Sequence, residues 1–345
     1  MKGDVCMVEV GKFGDKTIVI DSRYISVFKA GKLLKKYKYM IYLLPDGYVY
    51  LYRRPISITE KSGKDLTDYQ VRIVISGDDP IWQHARSAGE DIRFCRYAEE
   101  QMLSYWIEKY DPTNKEAIIW VKVPSIPANS TIDIFMYYGN EEVTSKSDGV
   151  ATFVFFDDFD DLDISDYTIV SGSFDVVEEP AGSGNGILKG TASGANLIVH
   201  NTANVGTQKV VRAKVRPDGD IGSPGVVFGY QDSDNFYHVR INNDLDELQI
   251  YEWVSGSATK RGSTSVSIST GTWYILEAIW KDANTIEAKL YDVNGNLLAT
   301  ATATMTGGFS SGKIGLRTYD PSSFDDFRIR NYTEPEPAIS VGAEE

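Results

Sequence analysis

Hydrophobic and polar residues alternate along most of this chain, in short runs that turn residues separate. Tyr69–Ser76, for example, reads YQVRIVIS, with apolar side chains at every second position. This period of two is typical of half-buried β-strands. Glu99–Tyr110 also fits an amphipathic helix, but Leu103, Tyr105 and Ile107 repeat with period two and favour a strand. The pattern as a whole predicts an all-β protein.

The predicted strands group into four segments. They are a small basic N-terminal β unit at 1–52, a central β-sandwich domain at 53–150, a two-sheet sandwich at 151–333, and a short extended tail or linker at 334–345. Hairpin signals mark the first segment (Pro45-Asp46-Gly47) and the third (Asn294-Gly295). A unit of about 50 residues is thin for an independent core, so we expect the first to pack on a neighbour or on other copies.

The tetrapeptide Phe-Asp-Asp-Phe occurs twice inside an apolar strand pattern, at Phe156–Phe159 and at Phe324–Phe327. Adjacent aspartates are poor strand formers, and burying one charge without a partner costs several kcal/mol. The two copies therefore predict the first and last strands of the third segment, lying side by side.

The central segment contains, in order, RRPISITE, DIRF, YWIE, IWVKVPSIPANST and MYYGN, and it closes with FFDDF. Over about residues 50–160 it resembles a prokaryotic domain family of unknown function. Members commonly lie directly before a laminin-G or concanavalin-like sandwich in surface and extracellular proteins, usually after a signal sequence. The family has no established catalytic residues, so the resemblance implies architecture and location and no chemistry.

The third segment contains GVVFGYQDSDNFYHVRIN, LQIYEWV, GTWYILEAIW, IEAKLYD, GKIGLRT and FDDFRIR. This succession is similar to the laminin-G or concanavalin A-like jelly roll. The predicted fold is therefore all-β, with a small N-terminal β unit, a central β-sandwich and a C-terminal concanavalin A-like sandwich.

Terminal strands of concanavalin-like sandwiches commonly share a structural calcium, which takes about six to eight hard oxygen ligands. If Phe156 and Phe324 face the core, strand alternation turns Asp158 and Asp326 inward as well. We expect those two aspartates to hold calcium, together with a backbone oxygen from elsewhere. The alternative is that both aspartate pairs lie on the solvent face or cap loops.

The formal net charge of −14 is unevenly spread. Residues 1–54 carry 11 Lys and Arg against 5 Asp and Glu, and the remainder carries 24 against 44. A basic segment on an acidic body indicates different partners for the two ends, although the lysines also fit a solvated strand face. For a body this acidic we expect no nucleic-acid partner.

No apolar run approaches the roughly 18 residues of a membrane span, so none is expected. The first 30 residues lack the apolar stretch and small-residue cleavage site of a secretion signal. Two cysteines, Cys6 and Cys95, make no disulfide framework; buried thiols and one long-range bridge both remain open.

Catalytic patterns are missing from the sequence. None of the three histidines pairs with a serine or cysteine in a hydrolase pattern. Gly308–Gly312 matches GxSxG, but that nucleophile turn needs a following helix, and a strand follows here. No strand carries the paired carboxylates of glycoside hydrolysis. We therefore expect no enzyme.

A glycan-binding face is the second candidate site. If Tyr237, Val239 and Ile241 are core, then Phe236, His238 and Arg240 lie opposite; in the same way Tyr251 and Trp253 lie opposite Leu248 and Ile250. Aromatic rings, arginine and histidine on neighbouring strands suit sugar stacking and hydrogen bonding. We expect His238, Arg240, Tyr251 and Trp253 to contact a glycan. A packing surface for a neighbouring sandwich would look the same.

Together these features predict a non-enzymatic structural or attachment protein of the cell exterior or of a virion surface, such as a fibre, spike or capsid-associated protein. It would display a glycan-binding or surface-binding sandwich and self-associate as a homo-oligomer. One alternative is a secreted or surface-layer adhesion or filament protein whose signal is absent from this sequence. Another is a carbohydrate-active enzyme.

Overall fold

The computed structural model describes residues 42–96 and 100–345 in full. Before residue 42 it describes the backbone of a sheet in which consecutive strands pair antiparallel: Val8–Phe13 (β1), Lys16–Asp21 (β2), Tyr24–Lys29 (β3) and Lys32–Lys38 (β4). Cys6 and the side chains of this basic segment lie outside the described residues. A bridge between Cys6 and Cys95 and a surface role for the lysines therefore stay predictions.

The segment from residue 42 to residue 152 combines strands with two one-turn helices. They are β5 (Tyr42–Leu43), β6 (Val49–Tyr50), β7 (Tyr52–Thr59), β8 (Leu66–Ser76), α1 (Ile81–His84), β9 (Arg93–Arg96), β10 (Gln101–Met102), β11 (Tyr105–Asp111), β12 (Glu116–Ile126), β13 (Thr131–Tyr138) and α2 (Gly149–Thr152). Between Gln101 and Tyr110 the ambiguous stretch forms β10 and most of β11, so the strand interpretation is confirmed.

The rest of the chain is built from strands. They are β14 (Phe155–Asp157), β15 (Tyr167–Ser171), β16 (Phe174–Glu178), β17 (Gly186–Gly190), β18 (Ala195–Gly206), β19 (Lys209–Pro217), β20 (Gly225–Asp232), β21 (Asn235–Asn242), β22 (Glu247–Val254), β23 (Ser257–Ser265), β24 (Tyr274–Trp280), β25 (Thr285–Asp292), β26 (Leu297–Thr304), β27 (Ser311–Tyr319), β28 (Ser322–Asn331) and β29 (Ala338–Val341). The protein is all-β, as predicted.

The chain divides into two compact units. The first comprises Met1–Thr152 together with Glu334–Glu345, and the second comprises Phe153–Thr333. In the first unit, the sheet β10-β9-β13-β7-β29 and the sheet β11-β12-β8 enclose one core. Period-two alternation builds it, because Val71, Ile73 and Ile75 of β8 are buried while Val74 between them is exposed.

The hairpin of β5 and β6 packs on the central segment, although the sequence assigned it to a separate N-terminal unit. Tyr42 and Tyr50 are buried in one cluster with Tyr137 and Val143. The rings of Tyr42 and Tyr137 meet edge to face, with centroids 5.4 Å apart. Burial of these aromatic rings ties residues 42–50 to the central segment, so the expected boundary after residue 52 is not a boundary of packing.

Residues 334–345 were expected to be a tail or linker, but they complete a sheet of the first unit. Strand β29 pairs antiparallel with β7, and Ile339 and Val341 pack on the core. Glu344 accepts a 2.7 Å hydrogen bond from the hydroxyl of Tyr138 and lies 2.8 Å from Nδ1 of His84. The segment is therefore a structural element that closes the edge of β7.

The second unit is a sandwich of two antiparallel sheets. An eight-stranded sheet has the order β16-β17-β28-β19-β24-β25-β26, with β14 also paired to β28. A seven-stranded sheet has the order β15-β18-β27-β20-β21-β22-β23. Their facing sides form one apolar core that includes Phe228, Tyr237 and Trp280. The side of the seven-stranded sheet that faces away from this core is called its outer face below.

A bulge in β28 overrides the alternation expected for Asp325 and Asp326. The register with β19 shifts between Arg212 and Lys214, so two residues of β28 stand opposite one, and Asp326 adopts a left-handed φ of 49°. Phe324 and Phe327 consequently both enter the core. The two aspartates between them both turn to Lys214, whose Nζ lies 3.3 Å from Asp325 and 2.6 Å from Asp326.

Candidate functional site

The four side chains predicted to contact a glycan share the outer face of the seven-stranded sheet. Strands β21 and β22 pair without a bulge, with His238 opposite Tyr251 and Phe236 opposite Trp253. Every second residue of β21, beginning at Tyr237, enters the core instead. Leu197, Val199, Val227 and Phe236 form a buried apolar floor on the outer face, and Trp253 packs against it.

Two arginines lie on the aromatic rings of this face. The guanidinium carbon of Arg240 is 4.5 Å from the ring centroid of Tyr251, and that of Arg317 is 4.7 Å from the ring centroid of Trp253. Trp253 also stacks on Phe236, with centroids 4.7 Å apart and planes 9° apart. Both arginines, Tyr251 and Trp253 are half-buried, so each keeps an exposed edge for a ligand.

His238 lies beneath this layer, where the sequence had expected a displayed contact residue. Its exposed fraction is 0%, and its ring centroid lies 5.7 Å from that of Trp253. Neither ring nitrogen makes a hydrogen bond of normal geometry. In this arrangement His238 cannot touch a bound sugar.

Burial lowers the pKa of His238 well below its ordinary value, and the charges of Arg317 and Arg240 add to this effect. The main chain of Arg317 opposes part of the shift. The imidazole is therefore neutral at pH 7. A neutral imidazole that is buried beside two arginines with only this poorly aligned main-chain contact is a costly arrangement for a fold, because a poorly satisfied buried polar group is destabilising.

The positive charge of the outer face is only partly balanced. Burial and then the charge of Arg240 lower the pKa of Arg317 to about 10. Burial lowers the pKa of Arg240 as well, with Tyr251 and Glu247 opposing the shift. Arg240 Nε donates a 2.8 Å hydrogen bond to Gln249, which in turn donates to Glu247. Among the described residues neither arginine forms an ion pair with a carboxylate.

Arg317 is the residue of this face that sequence reasoning missed. It lies on β27, whereas the predicted residues lie on β21 and β22, and only the sheet order brings them together. Register places Arg317 and Arg240 on opposite sides of Gly225. The only signal in the sequence was the alternation of GKIGLRT, in which Ile314 and Leu316 are core and Arg317 is not.

Asp158 and Asp326 are the two aspartates predicted to hold calcium, and the charge of Asp326 acts on Asp158. Asp158 follows the end of β14, and burial, then Asp160 and later Asp326, raise its pKa. Asp326 already contacts Lys214 at 2.6 Å. Within the described residues, no three His, Cys, Asp or Glu side chains are grouped so as to hold a metal ion. Calcium at Asp158 and Asp326 stays a prediction, and Lys214 would compete for that position.

Asp157 has a different environment from the one alternation predicted. Its carboxylate accepts a 2.7 Å hydrogen bond from the Tyr167 hydroxyl and a 2.8 Å bond from the main-chain N–H of Phe159. Burial raises the pKa of Asp157 to about 6, against these two bonds. The first Phe-Asp-Asp-Phe copy therefore closes a turn into the core, where Phe159 is fully buried.

A cavity of about 770 Å³ lies in the first unit, lined in part by Tyr52, His84 and Asp91. His84 stacks on Tyr52 with centroids 3.9 Å apart and contacts Glu344. Asp91 accepts main-chain hydrogen bonds at both oxygens, one of them from Gly139 at 2.7 Å. These polar groups stabilise loops and the last strand.

The structure is that of an all-β protein whose second unit is a two-sheet sandwich. A family described as a domain of unknown function, DUF2341, matches residues 88–170. A second family, SO2946-like, C-terminal domain, matches residues 189–317. These matches support the predicted order of a domain of unknown function followed by a jelly-roll domain. No curated protein matches the chain.

Solved structures with similar sandwiches include carbohydrate-binding proteins and proteins of unknown function. The carbohydrate binding module CBM66 from Bacillus subtilis is 17% identical, covering 49% of this chain and 98% of its own, with a TM-score of 0.40. A protein of unknown function with a galectin-like fold, also from Bacillus subtilis, is 11% identical over 52% and 96%, with a TM-score of 0.41.

The protein of unknown function SO2946 from Shewanella oneidensis MR-1 is 14% identical, over 48% of this chain and 81% of its own, with a TM-score of 0.32. All of these TM-scores lie below 0.5, so the similarities assign neither ligand nor reaction to this chain. In the part of the chain that the structure describes, no helix has the length and apolar character to cross a membrane.

Proposed function

We propose that this chain is a non-enzymatic glycan-binding protein, and that the outer face of the seven-stranded sheet is its binding surface. The observation that carries the proposal is the layer of half-buried rings and arginines at Trp253, Tyr251, Arg240 and Arg317. Aromatic rings with a fixed orientation supply the apolar platform that sugar rings pack on. Flanking arginines supply hydrogen-bond donors for the sugar oxygens.

Rigidity of the platform supports binding. Trp253 is held from several sides, by Phe236 at 4.7 Å, Tyr251 at 5.6 Å and the Arg317 guanidinium at 4.7 Å. A ring that is already fixed loses little conformational entropy when a ligand binds.

Binding without turnover fits the chemistry of the face. Glycoside hydrolysis needs two carboxylates on either side of the scissile bond. Glu247, whose charge acts on Arg240, is already bound by Lys260 at 2.8 Å and by Gln249 at 2.6 Å. Glu252 lies on the same strand but is buried, with its oxygens bound by Thr306 and Arg261.

The proposal also includes the role expected from the sequence. In that role the protein lies outside the cell or on a virion and attaches it to a glycan-bearing surface. In that role the first unit, with its basic N-terminal segment, would join copies of the chain into a homo-oligomer. Several linked copies would bind such a surface with higher avidity than one face alone. Size exclusion with light scattering tests this part separately, and a strict monomer would contradict it.

A glycan array tests the binding proposal, with Trp253→Ala as the variant. Trp273→Ala is the matched control, because Trp273 also lies in the second unit and carries an arginine, Arg216, 4.8 Å above its ring. We expect Trp253→Ala to lose binding and Trp273→Ala to keep it. Equal loss of binding in the two variants would contradict the assignment of this face. Equal binding by the unmodified protein and both variants would contradict it as well. Release of reducing ends from a bound polysaccharide would instead establish an enzyme.

A further inference from the structure

Arg240 and Arg317 give the outer face two neighbouring positive charges with no carboxylate partner among the described residues. Both pair in register with Gly225, one on either side, so no side chain stands between them. The two charges act on each other, since the presence of Arg240 helps to lower the pKa of Arg317. The protein keeps two like charges close together and half-buried, which is unfavourable in the absence of an anion.

The hydrogen bonds of the two arginines leave donors unused. Arg240 uses Nε toward Gln249 and one terminal nitrogen toward the Ser223 hydroxyl, at 2.8 Å and 3.4 Å. Arg317 contacts the ring of Trp253 and makes no hydrogen bond to a described side chain. A guanidinium group has five N–H donors, so both side chains can bind a further acceptor.

We propose that these arginines select an acidic glycan, with the carboxylate of a uronic acid unit bound between Arg240 and Arg317 and its sugar ring packed against the exposed edge of Trp253 or Tyr251. The inference rests on the proposed function, because it names the class of sugar that the same face binds. A neutral sugar would leave these two charges with no more compensation than the partial one that Glu247 gives to Arg240. A carboxylate neutralises them and matches the planar fork of a guanidinium group.

His238 supplies an independent observation that the face is built for a polar ligand. It is a fully buried imidazole on which the charges of both arginines act, and its ring nitrogens have only a poorly aligned contact with the main chain of Arg317. Retaining a poorly satisfied polar group at this position fits a face whose role is polar recognition.

Titration calorimetry with the full chain tests the inference. The probes are oligomers of galacturonate, mannuronate and guluronate, the methyl esters of the same oligomers, neutral oligosaccharides and a sulfated glucan. We expect at least one uronate to bind about tenfold or more tightly than its methyl ester, since the ester removes a charge-assisted pair. Added salt should weaken the acid form more than the ester.

Variants identify the residues. Arg317→Gln and Arg240→Gln should each weaken uronate binding by about tenfold or more. Lys289→Gln is the matched control, because it removes one positive charge from the other sheet, where Lys289 pairs with Glu287 at 3.1 Å. Thermal melts confirm that each variant is folded; should one arginine variant fail to fold, the other carries the test.

The outcomes separate the two proposals. Equal affinity for the uronate and its methyl ester would overturn the inference and leave glycan binding intact. Binding of the sulfated glucan without any uronate would overturn the assignment of a carboxylate. Failure of every probe, acidic or neutral, would overturn the proposed function together with the inference. Unchanged uronate affinity in both arginine variants would show that Arg240 and Arg317 do not bind the carboxylate, and would overturn the inference.

Discussion

The guanidinium group of Arg317 and the indole ring of Trp253 meet at 4.7 Å, although their strands are separated by β20 and β21 in the seven-stranded sheet. Adjacent strands lie about 4.8 Å apart, so the two side chains must each reach across a neighbouring strand to touch. The residues beneath, including Val227 and His238, become buried by this contact. One long-range pair therefore determines both the platform and the burial of the histidine.

Replacing His238 by leucine should leave the second unit at least as stable at pH 7.5, because the variant loses a buried polar group that has no hydrogen bond of normal geometry. It should also change the pH dependence. The folded pKa of His238 is lowered, so the unfolded state binds its proton first and stability is lost as pH falls below about 6.5. Thermal melts from pH 8 to pH 5 measure this loss, which should be smaller in His238→Leu. Equal slopes would show that His238 is not buried as described.

Asp157→Asn should raise the melting temperature at pH 8. The pKa of Asp157 is raised to about 6 by burial, so its ionised form destabilises the fold above that pH, and this cost disappears as pH falls toward the unfolded value of about 3.8. Asparagine can still accept from the Phe159 N–H and can donate to the Tyr167 oxygen. We expect a gain of roughly 3–8 °C at pH 8 that vanishes near pH 4. A lower melting temperature at pH 8 would contradict this account.

The sequence predicts the outer face more accurately than the aspartate cluster, and the difference lies in backbone regularity. Strands β21 and β22 pair without a bulge, so alternation alone groups His238 with Arg240 on one face. In β28 the bulge at Asp326 breaks the alternation, and no period-two argument could place both aspartates on the same side. Arg317 needed the strand order of the sheet, which depends on contacts distant in sequence.

Composition misled the interpretation of residues 334–345. Their proline and glutamate content is typical of a linker, yet Ile339 and Val341 alternate with exposed Ala338 and Ser340, as in a half-buried strand. Four residues were too short a pattern to outweigh the composition. Pairing with β7 supplies the stability that the local sequence lacks.

Lys214→Met should destabilise the second unit strongly. Burial lowers the pKa of Lys214, but the charges of Asp326 and Asp325 outweigh it and raise that pKa overall. Removing Lys214 leaves two buried carboxylates next to each other with only Arg328, 4.0 Å from Asp326, to balance them, which costs about 3 kcal/mol or more. Lys214→Met with Asp326→Asn should recover part of the loss, since asparagine tolerates the left-handed φ of 49°. A thermal melt measures both, and an unchanged Lys214→Met variant would contradict the pairing.

The same melts test the calcium predicted at Asp158 and Asp326. A calcium ion there should raise the melting temperature of the unmodified protein, and chelator should reverse the rise. Asp326→Asn should remove the response. If neither the unmodified protein nor Lys214→Met responds to calcium, the side chains of Lys214 and Arg328 are the cations that balance this cluster, and the calcium prediction is wrong.

The last strand should stabilise the first unit through its two inward side chains. Ile339 and Val341 pack on the first unit's core, whereas Ser340 between them is exposed. Replacing both by alanine removes buried apolar surface, at about 1–3 kcal/mol in total for a partly buried pair. Hydrogen exchange should then accelerate at the amides of β7 that β29 covers, from Ile56 to Thr59. Ser340→Ala is the matched control and should leave those amides protected. Equal exchange rates in the double variant and in Ser340→Ala would show that the side chains of Ile339 and Val341 do not stabilise the pairing of β29 with β7.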